Sequence, residues 1–287
     1  MPLDFTQINR TVEVPTNLNF KPVFEPSKMA DHKYVINPLT DTAIGHVSNT
    51  FNCVDHSTFF NGVWDQVTEN LDSEDILNAE IRFQSGRKGG FALADITFPS
   101  IKTEIETDSG HKTELRQRII AIHGVDGNSG SNTTLFGSID MFCTNGCISG
   151  EYSKVRRKNT SGFNMADFIK QLRKAKTDFY LESERLKVFA GTNLTEITVQ
   201  KLLEDIIPSE VKQKKMYELY MQEAYVRGHN KFSLMSAFTN YASHTIGNGF
   251  ELRATAKRAE TQAVTMHNRQ IEVNKYMSDA RFLMAAA

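Results

Sequence analysis

The spacing of hydrophobic residues changes from a period of two to a period of three or four along this chain. In AEIRFQ (79–84), Ala79, Ile81 and Phe83 alternate with charged and polar residues, which predicts a strand with one buried face. The glycine-rich SGRKGG (85–90) permits a tight reversal into a second strand, FALADITF (91–98). TELRQRIIAI (113–122) predicts another strand, and the loops are too short for crossover helices. These strands and short loops predict an antiparallel sheet.

Helical spacing appears once within this half and dominates after residue 155. Residues 55–71 predict a helix that Ser57 or Thr58 can cap. Further helices are predicted over 163–191, 195–206, 209–227 and 231–246, with Pro208 and Gly228 as breaks. Strands followed by helices indicate the α+β class, with an antiparallel sheet from the N-terminal half packed against C-terminal helices.

Four regions are predicted from these changes in the pattern of hydrophobic and polar residues. Residues 1–32 are polar and rich in proline, which indicates an extended N-terminal arm. Residues 33–190 form an α+β core domain, 191–249 a helical region and 250–287 a C-terminal polar helix. With few apolar positions, the last helix is either a solvated arm or a surface for another subunit.

Charge is segregated, although the net charge is only −1. Residues 1–80 contain 4 Lys/Arg and 12 Asp/Glu, a net of −8, which leaves 29 and 22, a net of +7, for the remainder. Such segregation favours an anionic ligand for the basic part. No apolar run is long enough for a membrane span, and the first residues lack the features of a signal peptide, so we expect a cytoplasmic protein without a membrane partner.

The sequence offers little for catalysis. It lacks GxGxxG, a phosphate-binding loop, HExxH and GxSxG. His123, Asp126 and Asn128 leave a metal-dependent hydrolase or nuclease open, but Asp-Gly-Asn-Ser-Gly is also typical of a turn. Three cysteines fit reduced thiols. We therefore predict no catalytic residue, cofactor or metal, and favour a non-enzymatic function.

Basic residues recur in three clusters that suit phosphate contacts. One lies at the first hairpin, the second on the strand 113–122, and the third in the segment KVRRK. The predicted nucleic-acid-binding residues are Arg82, Arg87, Lys88, Arg116, Arg118, Lys154, Arg156, Arg157 and Lys158. The aromatic residues expected to stack bases are Phe51, Phe83, Phe91 and Tyr152.

The stretch 119–152 contains Asp126-Gly127 and Cys143-Thr144-Asn145-Gly146 in that order. In this it resembles a phage/plasmid-like family of unknown function, whose central pattern is Asn-Ser-His-Asp-Gly followed by Cys-x-Asn-Gly. Residues 43–47 and 234–244 resemble two further elements. The family's His falls on Val125 and its Arg on Asp140, so no role of those residues carries over. The resemblance implies a mobile-element context, and the strand-then-helix order is similar to the core of phage single-strand annealing recombinases.

These observations lead to one expected function and two alternatives. We expect a single-stranded DNA-binding protein of a phage or mobile element, in the host cytoplasm, that promotes strand annealing or recombination as a homo-oligomer. The first alternative is a phage protein-interaction or structural factor acting on a host protein. The second is the hydrolase or nuclease based on His123, Asp126 and Asn128.

Overall fold

The computed structural model describes most of the chain. It covers residues 12–128, 132–142, 146–148, 154–157, 165–244, 250 and 258–286, with the backbone alone for 146–148, 154–157, 165–168 and 258–260.

The strands form two antiparallel sheets. The small sheet has the order β1-β2-β3, and the large sheet has the order β4-β5-β6-β7-β8, with β9 also paired to β7. This confirms the predicted antiparallel pairing in the N-terminal half. The strands are β1 (Val23–Pro26), β2 (His32–Asn37), β3 (Thr42–Ser48), β4 (Glu80–Gly86), β5 (Phe91–Glu106), β6 (Lys112–Gly124), β7 (Asn132–Asp140), β8 (Gly146–Ile148) and β9 (Lys154–Arg157).

The helices lie mainly in the second half, which confirms the α+β class. They are α1 (His56–Asn70), α2 (Ser73–Ile76), α3 (Met165–Ala190), α4 (Glu196–Ile206), α5 (Glu210–Arg227), α6 (Lys231–Ser243), α7 (Arg258–Met277) and α8 (Ala280–Met284). The predicted cap of α1 was wrong by two or three residues. Asp55 caps this helix, because its carboxylate accepts a hydrogen bond from the Thr58 backbone N–H at 2.7 Å.

The main core lies between one face of the large sheet and the helices. Alternate residues of β5, among them Ala94, Ile96 and Phe98, are buried against this layer. The intervening residues Phe91 and Leu93 point to the opposite face. There they join Ile120, Ile122 and Leu135 in a second cluster that Ala263 and Val264 of α7 cover.

Both ends of the described chain pack against the rest of it. Leu18 and Phe20 are buried, and the Val12 N–H donates to the Asn61 side chain at 2.9 Å. At the other end Phe282 is fully buried, and the Lys231 ammonium donates to the carbonyl of Leu283 at 2.7 Å.

A buried ion pair joins the large sheet to the helical layer. Arg227 at the end of α5 is fully buried, and its guanidinium lies 2.7 Å from the Asp140 carboxylate at the end of β7. Glu223, one turn earlier on α5, lies 3.2 Å from the same guanidinium. The rings of Phe142 and Phe232 each lie 5.3 Å from it, at cation–π distance.

Candidate nucleic-acid interface

The strand register brings basic residues of three strands onto one face of the large sheet. Arg82 lies opposite Asp95, and the Asp95 carboxylate is 3.1 Å from the Arg118 guanidinium. Arg116 is two residues before Arg118 and lies opposite Lys102. Since alternate and directly opposed residues project to the same side, all of these share one face, as predicted for Arg116 and Arg118. We call Arg82, Lys102 and Arg116 the basic face.

Carboxylates accompany every member of the basic face. Arg82 lies 2.9 Å from Glu80, Arg116 lies 2.7 Å from Glu114, and Lys102 lies 2.8 Å from the same Glu114. The hydrogen bond from Lys102 holds the pKa of Glu114 below its ordinary value. The face is therefore a mixed network of charges rather than a purely cationic surface.

Exposure separates these residues into accessible and buried ones. The side chains of Arg82 and Lys102 are 69% and 53% exposed, and that of Arg116 is 23% exposed. Arg118 is only 6% exposed and its guanidinium faces Asp95, so its place is that of a structural ion pair. The sequence did not predict Lys102 as a member of this face. Lys102 lies opposite Arg116 only because a bulge between Phe98 and Lys102 shifts the register of β5 against β6.

The other predicted basic residues lie at the hairpin tip and on the last strand. Arg87 is 3.3 Å from the buried Asp126 carboxylate, and Lys88 is exposed. The backbone of β9 pairs with β7, with Lys154 opposite Leu135. The side chains of Lys154, Arg156 and Arg157 and the whole of Lys158 lie outside the described residues.

The aromatic rings expected to stack bases do not lie at the surface. Phe51 and Phe91 are 9% and 3% exposed, and Phe83 packs against the main core. The expectation fails for these three because their apolar area is taken up by packing; Tyr152 lies outside the described residues. Ala263 and Val264 of α7 cover the Phe91 end of the sheet face that carries the basic residues.

His123 forms a buried pair with His56, 67 residues earlier. Their Nδ1 atoms are 2.8 Å apart, and the His56 Nε2 lies 2.8 Å from the Gly89 carbonyl oxygen. Because a carbonyl only accepts, His56 carries its proton on Nε2 and accepts on Nδ1, so His123 donates from Nδ1. Burial holds the pKa of His123 well below its ordinary value and lowers that of His56. Both rings are neutral structural links between β6, α1 and the hairpin tip.

Asp126 serves a turn, as the turn interpretation of the sequence predicted. Its side chain is fully buried, and its carboxylate accepts a hydrogen bond from the Asn128 backbone N–H at 2.9 Å. Gly127 follows with a φ of +73°, and a Cβ there would overlap the side chain of Val47. The segments 43–47 and 126–127 thus pack directly against each other.

Two wider features bear on the kind of protein this is. Within the ranges described above, no cluster of three or more His, Cys, Asp or Glu side chains has the arrangement of a metal site. None of the described helices combines the length and hydrophobicity needed to cross a membrane.

Comparison with known proteins adds one result. No curated protein and no solved structure matches this sequence. A family model described as "Domain of unknown function (DUF932)" matches residues 43–274, which include the whole of the basic face and most of the helical layer. The chain therefore belongs to the DUF932 family.

Proposed function

We propose that the protein binds single-stranded DNA through the basic face and promotes strand annealing or recombination as a homo-oligomer. We place it in a phage or other mobile element and in the host cytoplasm. One observation carries the proposal: Arg82, Lys102 and Arg116, from three neighbouring strands, share one face of the large sheet, and the side chains of Arg82 and Lys102 are exposed there. A row of cations across strands can follow a phosphate backbone and leave the base edges free for pairing.

The carboxylates on this face do not prevent such binding. Exposed ion pairs contribute only about 0–1 kcal/mol each, so exchanging a carboxylate for a phosphate costs little. Phosphate binding also releases condensed counterions, which favours association at low salt. Glu80 and Glu114 nevertheless repel the strand, so we expect Glu114→Gln to raise the affinity for DNA.

Fluorescence anisotropy with a labelled single-stranded oligonucleotide tests the proposal. Replacing Arg82, Lys102 and Arg116 together by Ala should weaken binding by at least about 10-fold at about 50 mM salt. The matched control replaces three exposed lysines elsewhere, Lys28, Lys201 and Lys214, by Ala and should change the affinity by less than about 2-fold. Equal losses in both triple variants would reduce the effect to net charge and contradict a specific face.

A second candidate is a protein-interaction factor, and exposed apolar residues on the helices favour it. Leu181 and Val188 lie two turns apart on α3 and are each 66% exposed, and Tyr225 on α5 is 92% exposed. Surfaces of this kind suit self-association as well as a host partner. Light scattering with and without oligonucleotide separates the two: a stable oligomer without DNA affinity favours this candidate over the first.

A further inference from the structure

The hairpin tip between β4 and β5 has an unusual backbone. Arg87, Lys88 and Gly89 have φ values of +52°, +55° and +85° in succession. Left-handed backbone is disfavoured for residues with a Cβ, and glycine adopts it freely. The other non-glycine residues with positive φ in the described ranges are Asp41 and Asn78, whose short polar side chains tolerate this region.

Contacts from three other parts of the chain hold the tip in this conformation. The Asn37 side-chain amide donates to the Lys88 carbonyl at 3.0 Å, and the His56 ring donates to the Gly89 carbonyl at 2.8 Å. The Val125 N–H donates to the Gly90 carbonyl at 2.9 Å. Each of these three carbonyl groups accepts a hydrogen bond from a donor outside the hairpin. The surrounding fold therefore imposes the left-handed backbone of Arg87, Lys88 and Gly89.

The two strained side chains have different surroundings. The Arg87 guanidinium lies 3.3 Å from the buried Asp126 carboxylate, and this ion pair accounts for the backbone conformation at Arg87. Lys88 is exposed, and its ammonium has no ion pair or hydrogen bond to any residue in the described ranges. A glycine at 88 would satisfy the same backbone without strain, as Gly89 does next to it. Strain that the fold maintains for an exposed side chain is typical of a functional contact.

We infer that Lys88 is a preorganised anion-binding residue that contacts a backbone phosphate of the single strand held on the basic face. This rests on the proposed function and deepens it. Residue 82 lies on the same strand, ~13 Å from residue 86, and β4 is the edge strand of the large sheet. A single strand of DNA that follows this edge, beside the part of the face that α7 covers, can therefore reach both cations. Fixing the backbone at 88 in advance reduces the entropy that binding would otherwise cost.

The test is a substitution that separates stability from binding. Lys88→Gly removes the strained Cβ and the charge together, so the melting temperature should rise by about 1–3 °C while affinity for the oligonucleotide falls about 3- to 10-fold. Lys88→Gln keeps the strain and removes the charge, so it should lose affinity with no gain in melting temperature. Lys88→Arg should retain the affinity.

Two controls isolate each effect. Asn78→Gly, at the exposed position with a φ of +63°, should raise the melting temperature less than Lys88→Gly does, because asparagine tolerates this backbone, and it should leave the affinity unchanged. Lys201→Ala on α4 removes one exposed charge and should change neither quantity by a measurable amount. Titration with a mononucleotide in place of the oligonucleotide should show weak binding, since the inference concerns a strand held at several points.

The outcomes separate this inference from the proposed function. Wild-type binding to DNA that Lys88→Gly and Lys88→Gln leave unchanged overturns the inference and leaves the basic face standing. A melting temperature of Lys88→Gly at or below that of the wild type overturns the assignment of strain. Tight binding of the mononucleotide would point to a nucleotide ligand and overturn the role in strand binding. A wild-type protein without DNA affinity overturns both proposals.

Discussion

The backbone of Gly45 on β3 packs against the backbone carbonyl of Asp126, 81 residues later. A Cβ at position 45 would overlap that carbonyl oxygen, and no flexible side chain is available to move aside. This contact fixes the small sheet against the turn that follows β6. Both residues lie within the part of the chain that matches the DUF932 family, and their residue types are explained here by packing rather than by chemistry.

We predict that Gly45→Ala destabilises the protein by about 2–3 kcal/mol, because a backbone must shift to admit one methyl group. Chemical denaturation followed by circular dichroism measures the loss. Gly191→Ala is the control, since its Cβ would meet only atoms at 3.9 Å and should cost little. A Gly45→Ala protein as stable as the control would show that the close approach is not present in solution.

Stability should decrease as the pH falls from about 7.5 to about 5.5, through the His56–His123 pair. Burial lowers the pKa of both rings in the folded protein, so below the ordinary value of about 6.5 the unfolded chain binds more protons. The stabilising effect of neutral histidines is therefore present above that pH and is lost below it.

His123→Phe, which keeps the stacking on Phe59 at 4.6 Å, should reduce the dependence of stability on pH. His111→Gln is the comparison, because the pKa of His111 is also lowered by burial. An unchanged slope in His123→Phe would contradict the assignment.

The buried charge at Arg227 should be sensitive to loss of either partner. Arg227→Met leaves the carboxylates of Asp140 and Glu223 buried without their cation, and we expect a loss of about 3–5 kcal/mol. Arg82→Met removes an exposed ion pair and should cost less than ~1 kcal/mol. In a double-mutant cycle with Asp140→Asn, the combined loss should be smaller than the sum. Additive losses would mean that Arg227 and Asp140 do not interact in solution.

Local patterns in the sequence predicted the elements well. The alternation over 79–84 matches β4, and the spacing of three and four over 55–71 matches α1, because each element depends on residues a few positions apart. Thr195 and Ser209 cap α4 and α5 for the same local reason. The class of fold follows from the order of these elements.

Relationships between distant residues could not be predicted in this way. Nothing near Arg118 in the sequence shows that Asp95 neutralises it, because that pairing depends on the register between β5 and β6. The same holds for Phe91. From the sequence its ring was expected to stack a base, but Ala263 and Val264 cover the cluster to which it belongs. The meeting of His56 with His123 also needs the folded chain. Sequence patterns thus located the basic residues, while the fold decides which of them reach solvent.

The salt dependence of binding tests the central claim most directly. The dissociation constant for a single-stranded oligonucleotide should be measured between about 50 and 300 mM salt, for the wild type and the Arg82→Ala/Lys102→Ala/Arg116→Ala variant. Four phosphate contacts, with Lys88, predict a slope of log affinity against log salt of about −3 or steeper, and loss of three contacts should reduce it by about 2. No binding at 50 mM salt, or the same slope in both proteins, would contradict a DNA-binding role for the basic face.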